Sequence, residues 1–140
     1  MNNDDLVKAW FARAASDLRA AQIILAMETE DLPSDVVCFH CRQAAEKYLK
    51  GFLASRETEY PLTHNLKALV EKAMVLDQSF GEILEPAETL TPYAVAVRYP
   101  DDFRVPSREE AESAFAIAGE IKAFVLARVK RSAKGVSEPE

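Results

Sequence analysis

Long apolar runs are missing from this chain, and none approaches the ~20 residues that a membrane-spanning helix needs. The first ten residues, MNNDDLVKAW, are acidic and polar, so no secretory signal is expected and the expected location is cytoplasmic. Two cysteines in 140 residues imply free thiols in a reducing compartment rather than a disulfide framework. Glycine occurs four times and β-branched residues are sparse beside Ala, Leu, Glu and Lys, which favours helix over strand. Cations are outnumbered. A net charge of −6 and a pI near 5.0 speak against nonspecific binding to duplex DNA, which depends on neutralising phosphates. A local basic pocket is still allowed.

What is present is an ordinary globular composition, 49% hydrophobic and 29% charged, so a folded chain is the default reading. At this length one domain is expected, able to bury enough surface without a metal or disulfide. Apolar residues at spacings of three and four mark the helices. The first is expected over about Asp5 to Met27, with Leu6, Trp10, Phe11, Ala14, Leu18, Ala21 and Leu25 inward and Arg13, Asp17 and Arg19 on the wet sides. Core packing is the expected use of Trp10 and Phe11, with a dimer seam as the alternative. A second helix follows Pro33, from about Ser34 to Arg56, with Val37, Cys41, Ala44, Tyr48 and Phe52 as its main apolar row. Thr63 is the expected N-cap of a third helix, His64 to Leu76. Asp77 to Glu85 reads as a short helical turn, and Pro86 to Arg98 as a fourth helix that enters afresh or bends at Thr91-Pro92. Tyr99-Pro100-Asp101-Asp102 reads as a turn, and Phe103 to Pro106 as an extended connection. Ser107 with Glu110 three residues on forms a capping box for the last helix. The sum is an all-α, up-and-down antiparallel bundle of four to five helices over residues 1–132, with 133–140 as a flexible tail.

The second helix carries the distinctive residues. His40, Gln43, Lys47 and Lys50 recur at three and four and so share a helical strip. One use for them is a nucleotide or RNA-phosphate surface, with lysines for charge and the amide and imidazole for hydrogen bonds. The other is bonding to neighbouring helices or a dimer mate, and this is favoured, because half-buried polar groups need partners anyway. Arg98 and Tyr99, followed by Arg104 and Arg108, form a second candidate. There an arginine can pair with phosphate, or with an aspartate or a helix-end carbonyl. Cys38, His40 and Cys41 are too few for a zinc site, and the thiol pair sits inside a helix rather than at an N-terminus where it would be activated. Buried thiols are expected, with no metal and no cofactor. His64 is expected to cap or to bond between helices.

These residues, in order, resemble the HEPN domain (higher eukaryotes and prokaryotes nucleotide-binding). The resemblance rests on Phe39-His40-x-x-Gln43-Ala44-Ala45-Glu46-Lys47-x-Leu49-Lys50, on His64-x-Leu66, and on Leu90-x-x-Tyr93 leading to Arg98-Tyr99-Pro100-Asp101. It implies a bundle that dimerises, often beside a minimal nucleotidyltransferase as a toxin–antitoxin pair. Some relatives are ribonucleases, marked by an arginine, four to six residues and a histidine. No arginine stands five to seven positions before His40 or His64, and no histidine follows Arg98 at that spacing. The imidazole that would handle protons near neutral pH is therefore absent from the motif. The expected function is a non-enzymatic interaction module, a homodimer that partners a nucleotidyltransferase-like protein and binds nucleotide through His40, Gln43, Lys47, Lys50, Arg98 and Tyr99. The alternative is an RNA-cleaving toxin with a divergent site around Arg98.

Overall fold

A computed structural model describes residues 2–93 and 105–137, with side chains described as far as residue 129. The element order is α1 (Asn3–Leu25), α2 (Ser34–Ser55), α3 (Leu66–Leu76), a 3-10 segment (Gln78–Ile83), α4 (Leu84–Thr89), a 3-10 turn (Thr91–Tyr93) and α5 (Arg108–Ser137). The architecture is all-α, with no strand among the described residues. Residues 94–104 lie outside the described residues. With them go the end of the expected fourth helix, the turn after Arg98 and most of the expected extended connection.

The helix boundaries follow their caps. Asn2 begins α1 earlier than the apolar pattern suggested, its side chain accepting the Asp5 N–H at 2.8 Å. Asn65, not Thr63, caps α3, accepting the Ala68 N–H at 3.2 Å. Thr63 instead accepts the Asn65 N–H at 3.0 Å and shapes the approach. The capping box of α5 forms as its spacing required. Ser107 Oγ accepts the Glu110 N–H at 3.0 Å, and Glu110 Oε1 accepts the Ser107 N–H at 3.4 Å. The backbone of α5 stays helical to Ser137, past residue 132, at which the bundle is expected to give way to a tail.

α2 is the central helix. It packs on α1 along one side and on α5 along another, with α3 and the 3-10 segment closing the bundle. Phe80 of the 3-10 segment packs on Phe52 of α2 at 4.4 Å with the rings tilted by 42°, and meets Phe124 of α5 edge-on at 5.0 Å between ring centroids. These three rings tie three elements at one level of the bundle. At its other end α5 is held by Arg108, whose guanidinium donates to the carbonyls of Leu25, Met27 and Thr29 at 3.3–3.4 Å. These carbonyls lie at and just past the C-terminus of α1, where the backbone lacks helical partners, so Arg108 serves as its cap.

Two backbone details set the α1–α2 contact and the end of α2. Gly51 faces the Phe11 ring so closely that an added Cβ would lie 2.4 Å from a ring carbon. The missing side chain is what lets the helices approach. At the end of α2, Glu57 N–H bonds to the Ala54 carbonyl (2.9 Å) and Thr58 N–H to the Leu53 carbonyl (3.0 Å). Glu57 thereby takes the left-handed position, φ 50°, that glycine usually fills in such a cap.

Two stability predictions come from these sites. Gly51→Ala gains up to ~1 kcal/mol in helix propensity but overpacks Phe11, which costs ~1–3 kcal/mol. Chemical denaturation should therefore show a net loss, smaller in a Phe11→Leu background. Glu57→Gly should raise stability by up to ~1 kcal/mol by relieving the positive φ, seen as a higher denaturation midpoint with unchanged slope.

Candidate functional site

The polar residues of α2 sort into two separate charge groups, each centred on a carboxylate. Asp17 of α1 holds the first. Its oxygens accept from Lys47 Nζ at 2.6 Å and meet His40 Nδ1 at 2.8 Å. The expectation that Asp17 faces water is corrected here, because the residue is only 9% exposed. The reason is its place three residues after Ala14 and four before Ala21, both on the buried stripe of α1. A carboxylate there must find partners across the interface, and α2 supplies them.

Glu46 holds the second group and is 3% exposed. Arg42, one turn before it, donates Nη1 to Oε1 at 2.7 Å, and Lys50, one turn after, donates Nζ to Oε2 at 2.8 Å. His64, in the connection before α3, brings Nδ1 to 3.0 and 3.1 Å from the two oxygens. Its ring is 76% exposed, so the group opens to solvent through this member. Lys50 also lies 5.6 Å from the centroid of the Trp10 ring, and Trp10 Nε1 donates to Tyr60 Oη at 3.0 Å. α1, α2 and the connection to α3 are thus tied at one place.

Burial by itself would raise the Glu46 carboxyl. The hydrogen bonds from Lys50, Arg42 and His64, with the charge of Lys50, outweigh it and hold the group below the ordinary carboxylate range. Burial also pushes the Cys41 thiol up to about 12, with Cys38 and Asp17 adding to the effect. A thiol so raised is almost wholly protonated at neutral pH and is a poor nucleophile and metal ligand. Cys38 and Cys41 are both buried and unbridged, as small core residues.

The nucleotide candidates on α2 therefore do not form one free strip. His40 and Lys47 belong to Asp17, Lys50 to Glu46, and Gln43 is half-buried between them with no side-chain hydrogen bond among the described residues. Arg98, Tyr99 and Arg104 lie outside the described residues. Arg108, the one arginine of that candidate site among the described residues, is engaged with the carbonyls of Leu25, Met27 and Thr29. Asp17 is the member of the site that residue type alone misplaced. Its interval from Ala14 and Ala21 was the available signal.

The HEPN domain model matches residues 7–130. The chain belongs to the HEPN domain family. Among solved structures, this HEPN chain is similar to the crystal structure of TT1696 from Thermus thermophilus. The two are 29% identical with a TM-score of 0.70, over 86% of this chain and 96% of that one. It also shares its fold with ST0689, an archaeal HEPN homologue, at 24% identity and a TM-score of 0.67, over 88% and 97% of the two chains. No curated protein matches the sequence. Among the described residues no helix is long and apolar enough to cross a membrane.

The Glu46 group makes a pH prediction. A carboxyl lowered by folding adds stability above its unfolded pKa, ~4.3, and that stability is lost as pH falls through the lower folded value. Glu46→Gln leaves Arg42 and Lys50 buried without a counter-charge and should cost ~3–5 kcal/mol at pH 7. In urea titrations the gap between wild type and variant should close as the pH falls below ~4, because the wild-type carboxyl then becomes neutral as well.

Proposed function

We propose that this HEPN domain is a non-enzymatic interaction module, a homodimer that partners a nucleotidyltransferase-like protein. The observation that supports this reading most directly is the internal pairing of the α2 cations. Lys47 and Lys50 are each held within 2.8 Å of a carboxylate from this same chain. An RNA-phosphate surface needs cations whose charge is available to the ligand, whereas Lys47 is committed to a carboxylate of α1 and Lys50 to a buried carboxylate of its own helix. The sequence agrees, since neither histidine stands in the arginine-to-histidine spacing of the family's ribonucleases. Nucleotide binding belongs to this reading as a secondary role, for which Gln43 on the half-buried side of α2, with Arg98 and Tyr99, are the remaining uncommitted candidates.

Co-expression with the protein encoded in the adjacent reading frame, followed by pull-down and light scattering, tests the reading. A stable complex containing two HEPN chains is the expected result. ATP and GTP at millimolar concentration should raise the melting temperature if nucleotide binds, with no cleavage of single-stranded RNA. Growth arrest on expression, lost in Arg98→Ala, would instead establish the toxin reading and overturn this one.

A further inference from the structure

A concavity lies at the end of the bundle where α1 begins and α2 finishes. It is a groove of about 480 Å³ lined by Asn3, Leu6, Ala54, Glu57, Thr58, Glu59 and Tyr60. Its shape is fixed from both sides. Asn3 Nδ2 donates to the Ala54 carbonyl at 3.0 Å, and Tyr60 is held by Trp10 through the indole N–H and an edge-on ring contact at 5.5 Å. Leu6, Ala54 and Tyr60 give it apolar surface. Its only charged lining residues are Glu57 and Glu59, and neither makes an ion pair among the described residues. Asp4 and Asp5, in the first turn of α1, add to the negative charge at this end. Beyond the rim, Leu62 is 99% exposed.

The same end of the molecule carries a segment of the opposite character. Phe52 and Phe124 both touch Phe80, which puts them at one level. From that level α2 ends three residues on, at Ser55, whereas α5 continues to Ser137. About ten residues of α5, some 15 Å at ~1.5 Å per residue, therefore run past the end of α2. In sequence this overhang holds Lys130, Arg131 and Lys134, and no carboxylate occurs between Glu120 and Glu138. Val129, Ala133 and Val136 recur through it at spacings of four and three. The overhang is basic and apolar in composition; the groove is acidic and apolar.

We propose that in the homodimer the basic overhang of α5 from one copy lies in the Glu57–Glu59 groove of the other. Because overhang and groove sit at the same end of the chain, two copies meeting there about a two-fold axis fill both grooves at once. This is the self-complementary arrangement that a closed dimer requires. Opposite charge steers the docking and fixes its register, while Leu6, Ala54 and Tyr60 supply the apolar contact. This inference rests on the homodimer reading above and specifies its interface.

Charge reversal tests it on the full chain, with molar mass read by light scattering after size exclusion. Wild type should run at about twice the 15.6 kDa of one chain. Glu57→Lys with Glu59→Lys, or separately the reversal of Lys130, Arg131 and Lys134 to Glu, should weaken the dimer at least ~tenfold in dissociation constant. Mixing the two variants should restore association as a heterodimer. Glu57→Gly with Glu59→Gln removes both carboxylates while relaxing the strained position, so a weaker dimer in this variant cannot be ascribed to misfolding. A wild-type dimer insensitive to all these changes overturns the groove assignment and leaves the homodimer reading standing. A wild-type monomer overturns both. Loss of the nucleotidyltransferase partner with the homodimer intact assigns the groove to that partner and overturns the proposal.

Discussion

Burial of Glu46 is the constraint on which most of this molecule depends. A carboxylate with 3% exposure is tolerable only if its oxygens are fully engaged, and three side chains engage them. Two come from its own helix, one turn to either side, and their geometry is set once α2 is helical. The third, His64, is delivered by chain that leaves α2, turns and returns to begin α3. The start of α3 is thereby located against the middle of α2. The group also commits Lys50 to a position against Trp10, which orients α1. Arg42 is 2% exposed and its Nε has no partner among the described residues, so the arrangement is costly as well as specific. Buried ionic groups of this kind position elements more effectively than they stabilise them.

Asp17 repeats the device with a carboxylate supplied by α1. Its two partners, His40 and Lys47, lie two turns apart along one side of that helix and bracket a single carboxylate of α1. One residue beyond Lys50, Gly51 allows the Phe11 ring to approach the α2 backbone. Polar pairs and a missing Cβ therefore set both the register and the spacing of the α1–α2 interface. A purely apolar seam would leave the register less defined.

Much of the fold was legible because helix periodicity and caps are local. Ser34 begins α2 as expected, Ser107 and Glu110 form their box, and Leu66, Leu69, Val70 and Ala73 face inward in α3. The misreadings have equally local causes. Thr63 and Asn65 are both good N-caps, and only the backbone path selects which side chain reaches an open amide. Asp17 looked like a surface residue because its type outweighed its position, although its interval from Ala14 and Ala21 placed it on the buried stripe. The candidate site was half legible. Helical spacing correctly grouped the α2 polar residues near one another, but it could not say which were already spoken for.

Residue order alone was enough to place the helices and their main buried stripes and, through the α2 motif, to point to the HEPN domain family. The absence of the family's ribonuclease spacing is of the same kind, because it involves nothing but positions along the chain. What the α2 charges do became visible only with the helices assembled. Ion pairing acts over a few ångströms between segments that are far apart in sequence, so no spacing rule could have assigned Lys47 to Asp17 or His64 to Glu46. The capping of α1 by Arg108 belongs with them, since its bonds join residues 79 to 83 positions apart.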